Sequence, residues 1–273
     1  MQKIKAGIVQ FDVSLGDVDR NVSVVRRRLR HLTDRGVRLV VLPEMWSSGF
    51  ANDRLVAFAR ATPDVLKVLA TESKKAGITI IGSLPEQSDA GIYNTAYVVD
   101  RGAVCAHYRK VHLFTPTAEE RYFISGDEAV VASTSLGMIG LMICYDLRFP
   151  ELCRVLALRG AWMIVVMAQW PAVRVSHWDL LLRARAVENQ TFVLGANRSG
   201  RDDDLVYGGH SRIVSPNGEV LARASKRSGT ISAVIDPAVL TQARKQIPCL
   251  EQIVGSPFLD GKVKSSRSRR REL

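Results

Sequence analysis

The 273-residue sequence holds only four cysteines, Cys105, Cys144, Cys153 and Cys249, and no two form a C-x-x-C pair. That leaves out zinc-ribbon and thioredoxin-like patterns and any dense disulfide framework. No apolar run approaches the roughly 18–20 residues that a membrane-spanning helix needs. The stretch Met1 to Gly7 shows none of the three regions of a secretory signal and runs straight into a strand-like pattern. A cytoplasmic protein with free thiols is therefore expected. Histidines, cysteines and carboxylates show no ligand-like spacing, so neither a metal nor a cofactor is expected. Residues 1–255 contain no Gly/Ser/Pro-rich linker and no internal repeat.

What the chain does have is apolar content, at 47%, beside 24% charged residues. A chain of this length buries roughly three quarters of its unfolded surface and needs no covalent staples to fold. The reading is one domain over residues 1–255 and a basic, disordered tail over 256–273. The net charge is +11, and it is unevenly spread. Residues 262–273 hold six lysines and arginines against Glu272 alone, which is +5 of the total. Such a tail raises the alternative of anion or nucleic-acid binding, yet no nucleic-acid-binding motif accompanies it. The Arg26-Arg27-Arg28 run with Arg30 reads as a solvated helix face.

Apolar spacing predicts a strand at Lys3–Phe11, a helix at Asp17–Gly36 and a buried strand at Val37–Leu42, which together make a parallel βαβ unit. A second helix is expected over Pro63–Gly77 and a buried strand over Ile78–Gly82. A hairpin over Tyr93–Val99 and Ala103–Tyr108 turns at Asp100-Arg101-Gly102. Then come a strand at Met138–Ile143, a helix at Pro150–Gly160, a strand at Trp162–Met167, a helix at Ser176–Gln190 and a strand at Thr191–Ala196. A second hairpin turns at Pro216-Asn217-Gly218, and Thr230–Ile235 is the last strand. The mixture of crossovers and hairpins points to a layered α/β architecture.

Three strand ends each lead into a reactive side chain: Glu44 after Val40–Pro43, Lys110 after Ala106–Arg109, and Cys144 after Leu141–Ile143. Strand ends are where α/β proteins gather their sites. A thiol, a carboxylate and an ammonium suit amide hydrolysis, as nucleophile, proton carrier and oxyanion partner. A helix start after Cys144 is a setting that lowers a thiol pKa. Set against this, most cysteines in apolar runs are small core residues, and Cys153 reads as one. Lone Glu and Lys residues are usually solvated. His112, His177 and His210 carry no local signature of a Cys–His dyad and read as structural.

The segments Leu42-Pro43-Glu44-Met45-Trp46, Tyr108 to Phe114 and Ile143 to Glu151 resemble the three catalytic signatures of the nitrilase superfamily, the carbon–nitrogen hydrolases. The likeness continues through Gln169-Trp170-Pro171, His177-Trp178, Arg183 to Gln190 and Gly209-His210-Ser211. It spans about residues 3–255 in the family's order. The resemblance implies a four-layer α-β-β-α sandwich that associates as a homodimer or higher homo-oligomer. It implies Glu44 as general base and acid, Lys110 and the Tyr145 backbone N–H as oxyanion donors, and Cys144 as nucleophile. Glu119 best fits the second glutamate, with the adjacent Glu120 as the alternative. The pattern is similar to the bacterial ω-amidase branch, which implies a 2-oxoglutaramate- or 2-oxosuccinamate-type amide and water as substrates. Deaminated glutathione or another small amide is the alternative. Arg148 and Arg174 are the candidates to pair with a substrate carboxylate.

Overall fold

The computed structural model describes residues 2–202 and 205–253. The basic segment 256–273 lies outside them. The chain runs β1 (Ile4–Gln10), α1 (Val18–Thr33), β2 (Leu39–Val41), α2 (Leu55–Ala76), β3 (Thr79–Ser88), β4 (Gly91–Asp100) and β5 (Ala103–Arg109). It continues through β6 (Val131–Thr134), β7 (Gly137–Ile143), α3 (Pro150–Leu158), β8 (Met163–Ala168), α4 (Val175–Asn189) and β9 (Phe192–Asn197). Then follow β10 (Ser199–Asp202), β11 (Leu205–Gly208), β12 (Arg212–Val214), β13 (Val220–Arg223), β14 (Gly229–Ile235), α5 (Pro237–Gln246) and α6 (Cys249–Ile253).

Two six-stranded sheets form, in the orders β14-β1-β2-β3-β4-β5 and β13-β12-β9-β8-β7-β6. Strand alternation sorts the side chains between layers. Ala6 and Ile8 of β1, with Leu39 and Val41 of β2, pack between the sheets against Ile139, Leu141, Ile164 and Leu194. Val9 and Val40, one residue out of phase, face α1 and α2 through Val25, Leu29, Val65 and Leu69. Helices α3 and α4 cover the second sheet, against β7 and β9. The result is the expected α-β-β-α sandwich.

β1, β2 and β3 are mutually parallel, as are β7, β8 and β9. The carboxyl ends of these strands carry the candidate residues. The hairpin between β4 and β5 turns at Arg101 and Gly102, both at positive φ, as Asp-Arg-Gly predicts. Helix α1 starts at Asp17, whose carboxylate accepts from the Arg20 N–H at 3.1 Å.

β6, β10, β11, α5 and α6 have no counterpart in the sequence expectation, and two expected elements are longer than predicted. Helix α2 begins at Leu55, eight residues before Pro63, and runs through that proline. Leu55, Ala59 and Thr62 are buried on its inner face. Packing there outweighs the hydrogen bond that Pro63 cannot donate. Strand β3 extends six residues beyond Gly82, through Pro85, and pairs with β4 as far as Ser88 and Gly91. The partner on its other side, β2, pairs only with Thr79–Ile81, so a proline beyond that point interrupts no ladder on that side.

Candidate active site

Pro43 follows β2 and cannot extend the ladder. The chain turns there, Met45 takes a φ of 45°, and Glu44 is left almost fully buried. Met45 N–H donates to Ser83 Oγ at 2.8 Å and pins the turn to β3. Gly82 is needed for this approach, because a Cβ at that position would lie 2.8–2.9 Å from Trp46 and Leu42. On β4, Asn94 Nδ2 donates to Glu44 Oε1 at 2.8 Å. The Asn94 carbonyl accepts from Lys110 N–H at 2.9 Å, which sets the lysine beside it.

Lys110 is as buried as Glu44. Its Nζ donates to Glu44 Oε1 at 2.9 Å and to both oxygens of Glu119 at 2.8 Å. Glu119 Oε2 also accepts the Phe114 N–H at 2.6 Å, which ties down the loop after β5. Glu120 is exposed. Strand β7 delivers Cys144, at φ 48°, into a short 3-10 turn, Cys144–Arg148. Asp146 secures that turn. Its carboxylate accepts from Ile143 N–H at 2.9 Å, Tyr108 hydroxyl at 2.7 Å, and His112 N–H and Nδ1 at 3.0 and 2.8 Å. One buried carboxylate thereby joins the end of β7 to the end of β5.

Cys144 is half-buried: its thiol opens on a cavity of about 210 Å³ and is enclosed by protein elsewhere. Glu44, Lys110, Glu119, Tyr145, Arg148 and Arg174 also line that cavity. All seven residues singled out in the sequence therefore meet at one place. Arg148 lies 4.8 Å over the Trp170 ring and Arg174 lies 5.7 Å over Phe114. None of the described residues lining the cavity is a histidine.

The electrostatics follow from two carboxylates sharing one ammonium. Burial pushes the Glu44 carboxyl above its ordinary value; Lys110 opposes the rise and Glu119 adds to it. Burial pulls the Lys110 ammonium down, but Glu44 and Glu119 outweigh it and hold its pKa above the ordinary lysine value. The Cys144 thiol is pushed well up by burial and by Glu44, with Lys110 opposing. This corrects the expected lowering: the 3-10 start does not offset burial and the net-negative surrounding. That direction favours the protonated form of the thiol at rest.

Four residues that the motifs assigned no role also hold the site. Asn94 and Asp146 are described above. Gln169 and Arg198 stand just past the ends of β8 and β9, and the Gln169 N–H donates to Glu44 Oε2 at 2.9 Å. Arg198 shows the signal that picked out Glu44, Lys110 and Cys144, a polar residue closing a buried strand. Asn94 could have been found as a break in an apolar strand.

A thiol, a buried carboxylate and a locked ammonium around one cavity define a cysteine-type hydrolase site at the strand ends of an α-β-β-α sandwich. The carbon-nitrogen hydrolase family profile matches residues 5–245, and the chain belongs to that family. It is an amidase-class enzyme. The chain is 37% identical over 232 residues to the "hydrolase in agr operon" of Staphylococcus lugdunensis, covering 82% of this chain and 97% of that protein. It is 34% identical over 255 residues to the 2-oxoglutaramate amidase of Bacillus subtilis, covering 90% and 95%. The crystal structure of Saccharomyces cerevisiae Nit3, a member of branch 10 of the nitrilase superfamily, matches with a TM-score of 0.85. That match is at 30% identity and covers 90% of this chain and 95% of Nit3.

Proposed function

We propose that the protein hydrolyses a small carboxylate-bearing ω-amide, of the 2-oxoglutaramate or 2-oxosuccinamate type, with release of ammonia. The observation that carries the reading is Lys110, buried and bridging Glu44 and Glu119 beside the Cys144 thiol. The Bacillus subtilis relative, similar over nearly its whole length, supports the choice of amide.

In this reading Cys144 Sγ attacks the amide carbonyl carbon while its proton passes to Glu44. The carbonyl oxygen becomes an oxyanion held by Lys110 and the Tyr145 backbone N–H. The C–N bond breaks, and Glu44 returns the proton to the leaving nitrogen, which departs as ammonia. Water then gives a proton to Glu44 and attacks the thioester carbonyl, and the thiolate leaves with that proton as the acid is released. Glu119 holds Lys110 in place and keeps it charged. Arg148 and Arg174, on the cavity wall, pair with the substrate carboxylate.

Residues 1–255 act as one catalytic domain, and the enzyme works as a homodimer or larger homo-oligomer in the cytoplasm. Exposed Val155 and Leu158 on α3, with Leu180 and Val187 on the adjacent α4, support association through that face. Free thiols at Cys105, Cys144, Cys153 and Cys249 fit a reducing compartment.

The test is ammonia release from 2-oxoglutaramate, 2-oxosuccinamate, deaminated glutathione, glutamine and a simple nitrile, for wild type and Cys144→Ala. Turnover of a 2-oxo ω-amide that vanishes in the variant is the expected result. Preference for deaminated glutathione moves the substrate and keeps the chemistry. Ammonia release that survives Cys144→Ala overturns the mechanism.

A further inference from the structure

Arg198 is a fully buried cation that the reaction scheme above does not use. Strands β8 and β9 run parallel, with Ala168 in register with Asn197. The next residue of each strand, Gln169 and Arg198, therefore leaves the sheet beside the other. Arg198 Nη1 donates to Gln169 Oε1 at 2.9 Å. Gln169 Nε2 donates to the Glu44 backbone carbonyl at 2.9 Å. The backbone N–H of Gln169 donates to Glu44 Oε2, also at 2.9 Å. Glu44 is thus gripped at both its main chain and its carboxylate by one glutamine, and that glutamine is gripped by one arginine.

The chemistry of the donors gives this chain a direction. A carboxamide has one accepting end and one donating end and can sit either way round. A guanidinium only donates. Arg198 therefore admits only the Gln169 oxygen, and this turns the –NH₂ end toward the Glu44 carbonyl. With the arginine absent, the amide loses one of the two contacts that select its orientation, and the Glu44 carbonyl alone opposes a flip that would set oxygen against oxygen.

Arg198 itself is held from several sides. Asp202 accepts from both of its terminal nitrogens, and Val13 carbonyl accepts from Nη2 at 2.7 Å. Asp12 lies 3.4 Å away, and the Tyr207 ring lies 4.2 Å from the guanidinium carbon. Its charge is balanced by Asp12 and Asp202, while Glu44 faces Lys110, Glu119 and Cys144. Each cluster has its own counter-ions, and the contact from Arg198 to Glu44 runs through Gln169.

We propose that Arg198 is a positioning residue that fixes the orientation of the Gln169 amide and, through it, the place of Glu44 relative to the Cys144 thiol. This inference rests on the reading of Glu44 as the proton acceptor.

The test is a double-mutant cycle of Arg198→Met and Gln169→Leu, with Arg198→Lys and Glu44→Gln alongside. Two quantities are read: steady-state ammonia release from 2-oxoglutaramate, and the rate at which iodoacetamide alkylates the Cys144 peptide, followed by mass spectrometry. The second needs no assigned substrate. A displaced catalytic group costs about 10- to 100-fold in rate. Arg198→Met and Gln169→Leu should each lower kcat and the Cys144 alkylation rate by about that factor, with KM changed less than about twofold. The double variant should be no slower than the worse single one, because both act on one contact. Arg198→Lys, which donates but does not accept, should recover part of the rate.

Additive losses, a loss confined to KM, or unchanged alkylation in Arg198→Met would overturn the proposal. If Arg198→Met fails to fold, Gln169→Leu decides, since unchanged kcat and alkylation there remove the relay. Unchanged alkylation in Glu44→Gln would instead sink the proton-acceptor reading. A slow Glu44→Gln with a normal Arg198→Met would remove the relay alone.

Discussion

At the residue scale, the site is a thiol beside three buried charged groups, two carboxylates and one ammonium, with one negative charge left over. That excess keeps the proton on Cys144 at rest, so the nucleophile depends on a base beside it. Glu44→Gln preserves shape and removes the base, and kcat should fall about 10²- to 10⁴-fold in the ammonia assay. The pH profile follows from the same charges. Glu44 acts only when ionised, and its pKa is raised from 4.5. Wild-type kcat/KM should therefore decline as pH falls through that raised value, before an ordinary carboxylate would protonate. It should show no rising limb from thiol ionisation below pH 9, because the thiol pKa stands above its ordinary 9.0. A rise in kcat/KM between pH 7 and 9 that tracks thiolate formation would contradict this assignment. Lys110→Met would leave Glu44 and Glu119 buried without their shared cation. Breaking such a pair costs about 3–5 kcal/mol. The urea midpoint should drop accordingly, and more than it does in Glu44→Gln.

At the element scale, the site exists because parallel strands in two sheets end on the same side. β2 and β5 bring Glu44 and Lys110 from one sheet; β7, β8 and β9 bring Cys144, Gln169 and Arg198 from the other. Their precision depends on how closely the covering helices pack. Gly195 in β9 lies directly beneath α4, where an added Cβ would stand 2.6–2.8 Å from Leu182 and Trp178. Overpacking at such a position costs about 1–3 kcal/mol. Gly195→Ala should lower Tm, and by lifting α4 from the strand that leads to Arg198 it should also lower kcat. An unchanged Tm would mean that the helix yields without cost.

At the scale of the whole molecule, the charge has two parts. The site is built from residues within the sandwich, whereas the densest positive run is residues 262–273. Deleting those twelve residues should leave kcat and KM for the amide unchanged. It should also lower the salt concentration at which the protein elutes from heparin, since each lost cation releases fewer counterions. A fall in kcat on deletion would tie the tail to catalysis and reject the division drawn here.

The sequence by itself determined the fold class and most elements, and through its family resemblance it pointed to Cys144, Glu44 and Lys110 as neighbours; the choice of Glu119 over the adjacent Glu120 beside Lys110 came from the structure. Apolar periodicity is local, and the motif blocks around these residues are contiguous, so both are legible along one dimension. The early start of α2 and the length of β3 were not legible, because Pro63 and Pro85 break local patterns that long-range packing restores. The protonated state of Cys144 was also decided only in three dimensions. A short run of sequence shows the turn after the thiol, whereas its pKa is set by burial and by carboxylates that arrive from positions 44 and 119. The roles of Asn94, Asp146, Gln169 and Arg198 were likewise decided by their partners, even where, as for Asn94 and Arg198, a polar residue in or closing an apolar strand marks the position. Their partners are 29 to 50 positions away in the Asn94–Glu44, Tyr108–Asp146 and Gln169–Arg198 pairs and 125 away between Gln169 and Glu44. Strand pairing within a sheet closes the Asn94–Glu44 and Gln169–Arg198 separations, and the packing of the two sheets face to face closes Tyr108–Asp146 and Gln169–Glu44.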